Sequence, residues 1–385
     1  MNYVYGALAF AATVVAESEE ATVTASAAKA KASVTTEAWA KMTIVERITT
    51  YDWTKEALLV AFTLVYLFLH YYGASVNKKK VTKWIESQRA GLEAQFAQVG
   101  THHPKGKDYV ADSHEMYTTY ASGRVNVSYM KAVMRMRPRQ NLILYAMEFF
   151  MSIFMPTLVD AKEVIQVTIV PNGDTSKKID PAIFAIVNKE GMQQSREESY
   201  YLSLTRTTES PKLPVEFVFM TESGEISDAL YSSELEAAVK TPGATKVLQF
   251  LTLTDQPVDR PLTPEEAAPK PQVALALNFP TNAEEEAATT AILTATVNLV
   301  DAAAKAGRWR PEVARKIKTT RDNEVKKIQK AIDEKKAEEA AQAKAEAKRA
   351  QQAKLSPAEQ RKLEQKEREK DLRRQQKKGT RRVKA

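Results

Sequence analysis

Arginine and lysine crowd one stretch in the last quarter of this 385-residue chain. Arg308, Trp309, Arg310, Arg315, Lys316, Lys318, Arg321, Lys326 and Lys327 all lie between positions 308 and 327. Guanidinium and ammonium groups at that density neutralise phosphates, and Trp309 or an arginine plane can stack on an unpaired base. The pattern points to nucleic acid. Anionic lipid is a second polyanion of the right sign, and a solvated helix without a partner is the plain alternative. Lys and Arg dominate again from Arg361 to Lys384. From Lys305 onward 28 cations face 13 carboxylates, while the whole chain nets only +8. The basic charge is therefore a property of the tail, and the rest of the chain is acidic.

Other residue types offer less chemistry. His102, His103, Asp108, Asp112 and His114 sit close together, but their spacing matches no metal-ligand pattern and Pro104 and Gly106 mark a solvated loop. There is no cysteine, which excludes disulfides, cysteine-based zinc sites and thiol catalysis. No GxGxxG, phosphate-binding loop, nucleophile elbow or HExxH occurs. The composition offers no catalytic site, so a non-enzymatic role is expected, without metal or cofactor.

The stretch that must position the basic tail is Ala57 to Tyr72, ALLVAFTLVYLFLHYY. With its flanks it reaches about 20 residues, enough for a helix to cross roughly 30 Å of hydrocarbon. A buried helix of a soluble domain would normally show a polar face, and this run has none. Lys78, Lys79, Lys80 and Lys83 follow it, and positive flanks stay cytosolic. A membrane helix over 55–76 would thus place the N-terminus in the lumen and the long C-terminal part in the cytosol. Residues 1–16, MNYVYGALAFAATVVA, resemble a signal peptide although they lack an early cation. Residues 17–54 form a luminal segment, largely disordered, with Trp39 to Trp53 mildly amphipathic.

Residues 77–306 are expected to form one cytosolic α+β domain. Val81 to Val99 carries apolar residues at helical spacing. Leu142 to Leu158 is a second apolar run, broken by Glu148 and ended by Pro156. A second crossing would bury Glu148 at about 2.5–3.5 kcal/mol and move the basic tail to the lumen, so a buried core helix is preferred. Strands are expected at Val164–Val170, Ile183–Val187, Val215–Met220, Lys246–Leu253 and Val273–Phe279. Helices are expected at Lys189–Leu204, at Ser232–Lys240 and from a Thr281 cap to Ala306. Gln256 to Gln272 carries five prolines and reads as extended loop.

Residues 307–385 form the basic helical tail. Pro311 to Ala353 favours helix, with Glu312–Lys316 and Asp322–Lys326 spaced as i,i+4 pairs. Ser356-Pro357-Ala358-Glu359 is a capping box that starts a second helix to about Gln376. Val313, Ile317, Val325, Ile328 and Ile332 make only a partial stripe, too short for a self-pairing coiled coil. A helix laid on a partner fits better.

This order of parts resembles the calumin family, coiled-coil-domain proteins of the endoplasmic reticulum that belong to the PAT complex of the multipass translocon. The local stretches YASGRVNVSYM with RPRQNL, FAIVNKEG, LQFLTLTD, ALALNFP and AKAGRWRPEVARKIKTTRDNEVKK carry the likeness from about Ala121 into the tail. The resemblance implies a single-pass protein of the endoplasmic reticulum membrane that assists insertion and folding of multi-pass membrane proteins. It implies the translating ribosome, the Sec translocon, a small membrane subunit of the PAT complex and nascent membrane proteins as partners. Carried onto this chain, Arg308, Arg310, Arg315, Lys316, Lys318 and Arg321 would meet ribosomal RNA. The family's luminal segment can be strongly acidic and is linked to calcium; here only Glu17, Glu19, Glu20, Glu37 and Glu46 stand among mixed neighbours, which weakens that expectation. A structural tether or calcium-homeostasis protein, whose tail binds anionic lipid or a partner helix, is the contrasting reading.

Overall fold

The computed structural model of the chain describes residues 41–100, 108–155, 162–353 and Glu369. The expected signal peptide, most of the luminal segment, His102, His103 and the second tail helix lie outside the described residues. Two compact units are present, Met1–Leu67 and Phe68–Ala385.

In the first unit, helix α1 (Ile44–Thr50) exposes Ile44, Val45 and Ile48. Helix α2 (Thr54–Glu93) begins there and has 40 residues without a break. Its first part is apolar and exposed, with Leu58 and Phe62 over 70 % accessible at 74 % and 73 %. Its second part turns Gly73, Asn77, Val81, Trp84, Ile85, Gln88 and Leu92 inward, an i, i+4, i+7 stripe that packs on the body. The membrane run and the amphipathic run, separated at residue 76 by sequence, are therefore one continuous helix.

The second unit is built on a ten-stranded sheet. Its strands are β1 (Gln98–Val99), β2 (Val110–Ala111), β3 (Met116–Arg124), β4 (Val127–Arg135), β5 (Val164–Pro171), β6 (Phe184–Asn188), β7 (Arg206–Thr208), β8 (Phe217–Thr221), β9 (Leu248–Thr254) and β10 (Gln272–Asn278). The order is β1-β3-β4-β5-β10-β9-β6-β8-β7, with β2 also on β3, and the pairings are antiparallel. The five expected strands are all present within about two residues of their expected bounds. The β3–β4 hairpin was not expected. Its inward residues Tyr117, Thr119, Ala121, Met130, Ala132 and Met134 alternate with polar ones at period two. Gly123 stands within β3, just before the Val125-Asn126 turn: its φ is +90° and a Cβ would lie 2.7 Å from the Ala97 Cβ.

Helices cover the sheet. α3 (Leu142–Phe154) connects β4 to β5. α4 (Gly173–Ser176) follows β5. α5 (Met192–Glu198) and α6 (Tyr200–Ser203) replace the single helix expected from Lys189 to Leu204, because Ser199 is extended at φ −116° and ψ 109°. Tyr201 and Leu202 pack there on Ala185, Val187, Val218 and Met220. α7 (Gly224–Leu230), α8 (Ser233–Val239) and α9 (Ala244–Val247) lie on the other face with α10 (Ala283–Ala306). Ser232 caps α8, accepting from the Leu235 N–H at 3.2 Å. The expected Thr281 cap of α10 is replaced by Asn282; Thr281 stands one residue earlier, and its N–H and hydroxyl donate to the Glu285 carboxylate at 2.7 and 2.6 Å. α10 is apolar enough to cross a membrane, yet Ala288, Ile292, Val297 and Val300 are completely buried in the core. α11 (Pro311–Ala353) carries the tail.

Candidate functional site

Two helices present surfaces the body does not use, apolar in one and cationic in the other, and each is rooted in a partly buried arginine. The first is α11. Its inner stripe, Val313, Ile317, Arg321, Val325 and Ile328, repeats at i, i+4, i+8, with Ile317 and Ile328 buried. Trp309 is also buried, at 8 % exposure, and its backbone N–H donates to Asp180 Oδ2 at 3.0 Å. Arg321 lies between two acids: it donates to both Glu222 oxygens at 2.8 and 3.0 Å and to both Asp255 oxygens at 3.0 and 2.7 Å. The side chains of Glu222 and Asp255 are only 4 % and 2 % exposed. Lys316 Nζ donates to the Glu222 carbonyl at 2.6 Å.

This geometry corrects the sequence reading at two positions. Trp309 and Arg321 are committed to the core and to the acid pair, so neither is presented for stacking or for phosphate. The structure also forms neither of the i,i+4 pairs expected at Glu312–Lys316 and Asp322–Lys326; Lys316 reaches the body instead. What stays outside is Arg308, Arg310, Arg315, Lys316, Lys318, Lys326 and Lys327, with Lys316 bonded to the body through its Nζ. Arg310 approaches Glu225 at 3.6 Å while remaining open, and Lys327 pairs with Glu324 at 2.6 Å. Among the described residues Arg308, Arg315, Lys318 and Lys326 have no ion-pair partner. From Asp333 to Lys344 the described side chains of α11 are all exposed, so the helix continues past its root as an arm.

The electrostatics of this root follow from burial. Burial pushes the Glu222 carboxyl above its ordinary range, and the Asp255 charge adds to that; Arg321 opposes it only in part. Burial acts against the Arg321 cation, but Asp255 and Glu222 raise it overall. Tyr200, whose hydroxyl donates to Glu324 at 3.3 Å, is pushed up to about 12 by burial and then by the Glu324 charge.

The second helix is α3. It was expected to be a buried core helix, and the structure overturns this: none of its residues is buried. It is rooted in a polar collar around the buried Asn77 of α2. Asn77 Nδ2 donates to the His114 and Arg137 carbonyls at 3.0 and 2.9 Å, and its Oδ1 accepts from Arg139 at 2.8 Å. Arg139 also pairs with Glu163, which accepts from Lys80 at 2.9 Å. Gln140 Nε2 donates to Glu115 at 2.5 Å, and the Gln140 carbonyl lies 3.0 Å from His70 Nδ1. Burial acts to raise Glu163, but Arg139 and Lys80 outweigh it and hold the carboxyl below the ordinary range. Asn77, Glu115 and Glu163 were missed by the sequence. A lone Asn on the inward stripe of α2 was the available signal, since a buried amide needs partners.

The lysines that set the expected orientation divide. Lys78 and Lys79 are exposed, while Lys80 and Lys83 pair with Glu163 and Glu286 at 2.9 and 2.6 Å. Asp108 pairs with Arg89 at 3.2 Å and Asp112 accepts from Thr118 at 2.8 Å, so both acids of the His/Asp cluster have structural partners. An open groove of about 570 Å³ at the ends of β5, β10, β9 and β6 mixes Arg135, Lys189 and Lys246 with Glu190, Glu198 and Glu216. It has no single sign of charge.

Comparison with known proteins comes to rest on the same parts. The family described as PAT complex subunit CCDC47 matches residues 52–374, from the start of α2 into the tail. A UPF0674 endoplasmic reticulum membrane protein of Schizosaccharomyces pombe is 27 % identical over 279 residues, covering 70 % of this chain and 73 % of its own. A second, from Saccharomyces cerevisiae, is 29 % identical over 285 residues, covering 68 % and 69 %.

Proposed function

The chain belongs to the PAT complex subunit CCDC47 family, and on that premise we propose that it is a non-enzymatic membrane-protein biogenesis factor of the endoplasmic reticulum. It resides in that membrane as its yeast relatives are named to do. α2 anchors it by one crossing, with the N-terminus luminal and the body and tail cytosolic. The exposed lysines Lys78 and Lys79 just past the apolar run of α2 support that orientation. Its partners are other PAT complex subunits, the Sec translocon, the translating ribosome and emerging multi-pass proteins.

One observation carries the ribosome reading: α11 is a long helical arm clamped to the body by Ile317, Ile328 and Arg321, with cations on its outer surface that lack ion-pair partners among the described residues. At 43 residues it is about 65 Å long. Arg308, Arg315, Lys318 and Lys326, joined by the basic tail end, supply phosphate contacts whose binding releases counterions.

The test is co-sedimentation of solubilised protein with ribosomes across a salt series. Full-length chain is compared with one stopped after Ile332 and with one that keeps the tail but carries Arg315→Glu, Lys318→Glu and Lys326→Glu. A stop at Ala306 would uncover the core around Trp309 and is unsuitable. Binding that falls steeply with salt, and weakens in both variants, supports the proposal. Equal sedimentation of all three, or none, refutes it and favours a tether whose tail binds lipid.

A further inference from the structure

Exposed apolar residues cover a broad face of α3, and a strip that includes Tyr145, Glu148 and Ser152 is half-buried. Ile143, Met147, Phe150 and Phe154 follow at helical spacing and are 72 %, 55 %, 56 % and 79 % exposed. Leu142, Leu144, Phe149 and Ile153 beside them are exposed as well. A surface like this requires an apolar partner. The helix has 13 residues, about 20 Å, which is too short to cross roughly 30 Å of hydrocarbon.

The neighbouring part of α2 identifies the partner. Phe68, Tyr71 and Tyr72 are exposed at 68 %, 70 % and 62 %, and exposed Lys78 and Lys79 come two turns later. That succession, apolar to aromatic to cationic, marks where hydrocarbon gives way to headgroups. α3 begins at this level of α2. The Gln140 carbonyl meets His70, and Gly73 lets the Arg139 backbone so close that a Cβ would stand 2.2 Å from its carbonyl oxygen. The chain that leaves the collar at Arg139 also returns to it, because Glu163 pairs with Arg139 and with Lys80. Had α3 crossed a bilayer, Glu163 would be separated from both. The one charge within α3, Glu148, is met by Arg137 at 3.3 Å, and Arg137 lies over the Tyr145 ring at 4.6 Å. No bare charge needs to enter the hydrocarbon.

We propose that α3 is a re-entrant membrane helix: it inserts its apolar surface into the lipid leaflet on the side of the α+β body and returns to that same side, with the Asn77 collar at headgroup level. The proposal rests on α2 crossing the bilayer. Its occupant is lipid acyl chain. A segment that was neither core nor span thereby gives the body a second attachment, fixing its face against the membrane where a single helix would leave it free to swivel.

The absence of cysteine allows single-site labelling of the full chain. Phe150→Cys and Phe154→Cys carry a polarity-sensitive fluorophore, with Leu64→Cys in α2 and Val258→Cys on the body as references. Each protein is reconstituted in phosphatidylcholine–phosphatidylserine vesicles. The expected result is several-fold stronger quenching by nitroxide-bearing lipid at positions 150 and 154 than at 258, with protection from aqueous iodide. A second readout uses Val125→Cys, which precedes α3 in the chain, and Lys344→Cys, which follows it, with a membrane-impermeant maleimide, and both should react from the same side. If Leu64 is quenched by lipid but positions 150 and 154 meet iodide, α3 stays out of the bilayer and only this inference fails. Shielding of 150 and 154 from both quenchers means that protein covers them, which also overturns it. Opposite sidedness of Val125 and Lys344 means that α3 crosses. If Leu64 itself is not quenched, the anchor reading fails and the inference falls with it.

Discussion

Arg139 and Arg321 sit at the roots of α3 and α11, with side chains 21 % and 14 % exposed. Both hold a helix whose remaining surface does not suit the body, apolar in α3 and cationic in α11. The surroundings differ in sign. Arg321 is outnumbered by two carboxylates, Glu222 and Asp255, and stands between them. At the collar Glu163 is the minority, shared by Arg139 and Lys80. Burial, with a smaller push from the Asp255 charge, raises Glu222, whereas at Glu163 Arg139 and Lys80 outweigh burial and hold the carboxyl low. The same ionic contact therefore responds to its environment in opposite directions, and the two roots can be separated by experiment.

The largest effect is expected at Arg321. Arg321→Ala leaves Glu222 and Asp255 buried without their cation, which costs about 3–5 kcal/mol. Chemical denaturation measures it. Removing all three charges together, by Arg321→Met, Glu222→Gln and Asp255→Asn, should recover much of the loss, because an unpaired buried charge is worse than none. Failure to recover would mean that the pairing itself stabilises the root.

At the collar the expected loss is smaller, since the groups are partly wet. Asn77→Leu deprives Arg139 of an acceptor and two carbonyls of a donor, for about 2–3 kcal/mol. Gly73→Ala places a methyl where the Arg139 carbonyl lies and costs about 1–3 kcal/mol through displaced backbone. Both should loosen protection of the α3 root in hydrogen exchange while leaving that of α11 unchanged. Equal loss at both roots would remove the distinction between them.

Acid sharpens the contrast. Glu163 is more acidic folded than its ordinary value of 4.5, so its stabilisation is present above that pH and is lost as pH falls through the lower folded value. Glu222 is less acidic folded, so its contribution is complete below its ordinary value and declines as pH rises through the raised one. Lowering pH below about 4.5 should thus open the collar before the α11 root. Exchange rates at amides near Glu163 and Glu222 across that range report the order, and Glu163→Gln should remove the acid response of the collar.

How much of this was legible in the sequence differs between the regions. The apolar run of α2, the long α11 and five strands were all marked by period and composition. The β3–β4 hairpin was obscured because half of its residues are polar and its Val125-Asn126 turn carries neither glycine nor proline. α3 was misread because apolarity alone does not say which side is covered: α10 is apolar and buried, α3 is apolar and exposed. Trp309 and Arg321 were counted with the other cationic and aromatic residues because their acids, Asp180, Glu222 and Asp255, lie far away in the chain. Long-range ion pairing leaves no local spacing to read.

The smallest expected effect on stability accompanies the most telling effect on function. Arg315→Glu, Lys318→Glu and Lys326→Glu together should change unfolding by less than about 0.5 kcal/mol per site, because these exposed side chains lack ion-pair partners among the described residues. The decisive measurement is ribosome affinity of this triple variant against the unaltered protein as a function of salt. If the outer stripe of α11 contacts RNA phosphates, affinity drops and the slope of log affinity against log salt shallows by roughly 0.7–0.9 for each lost contact. An unchanged affinity and slope, in a variant that remains folded, would contradict the account that α11 is the ribosome-binding arm.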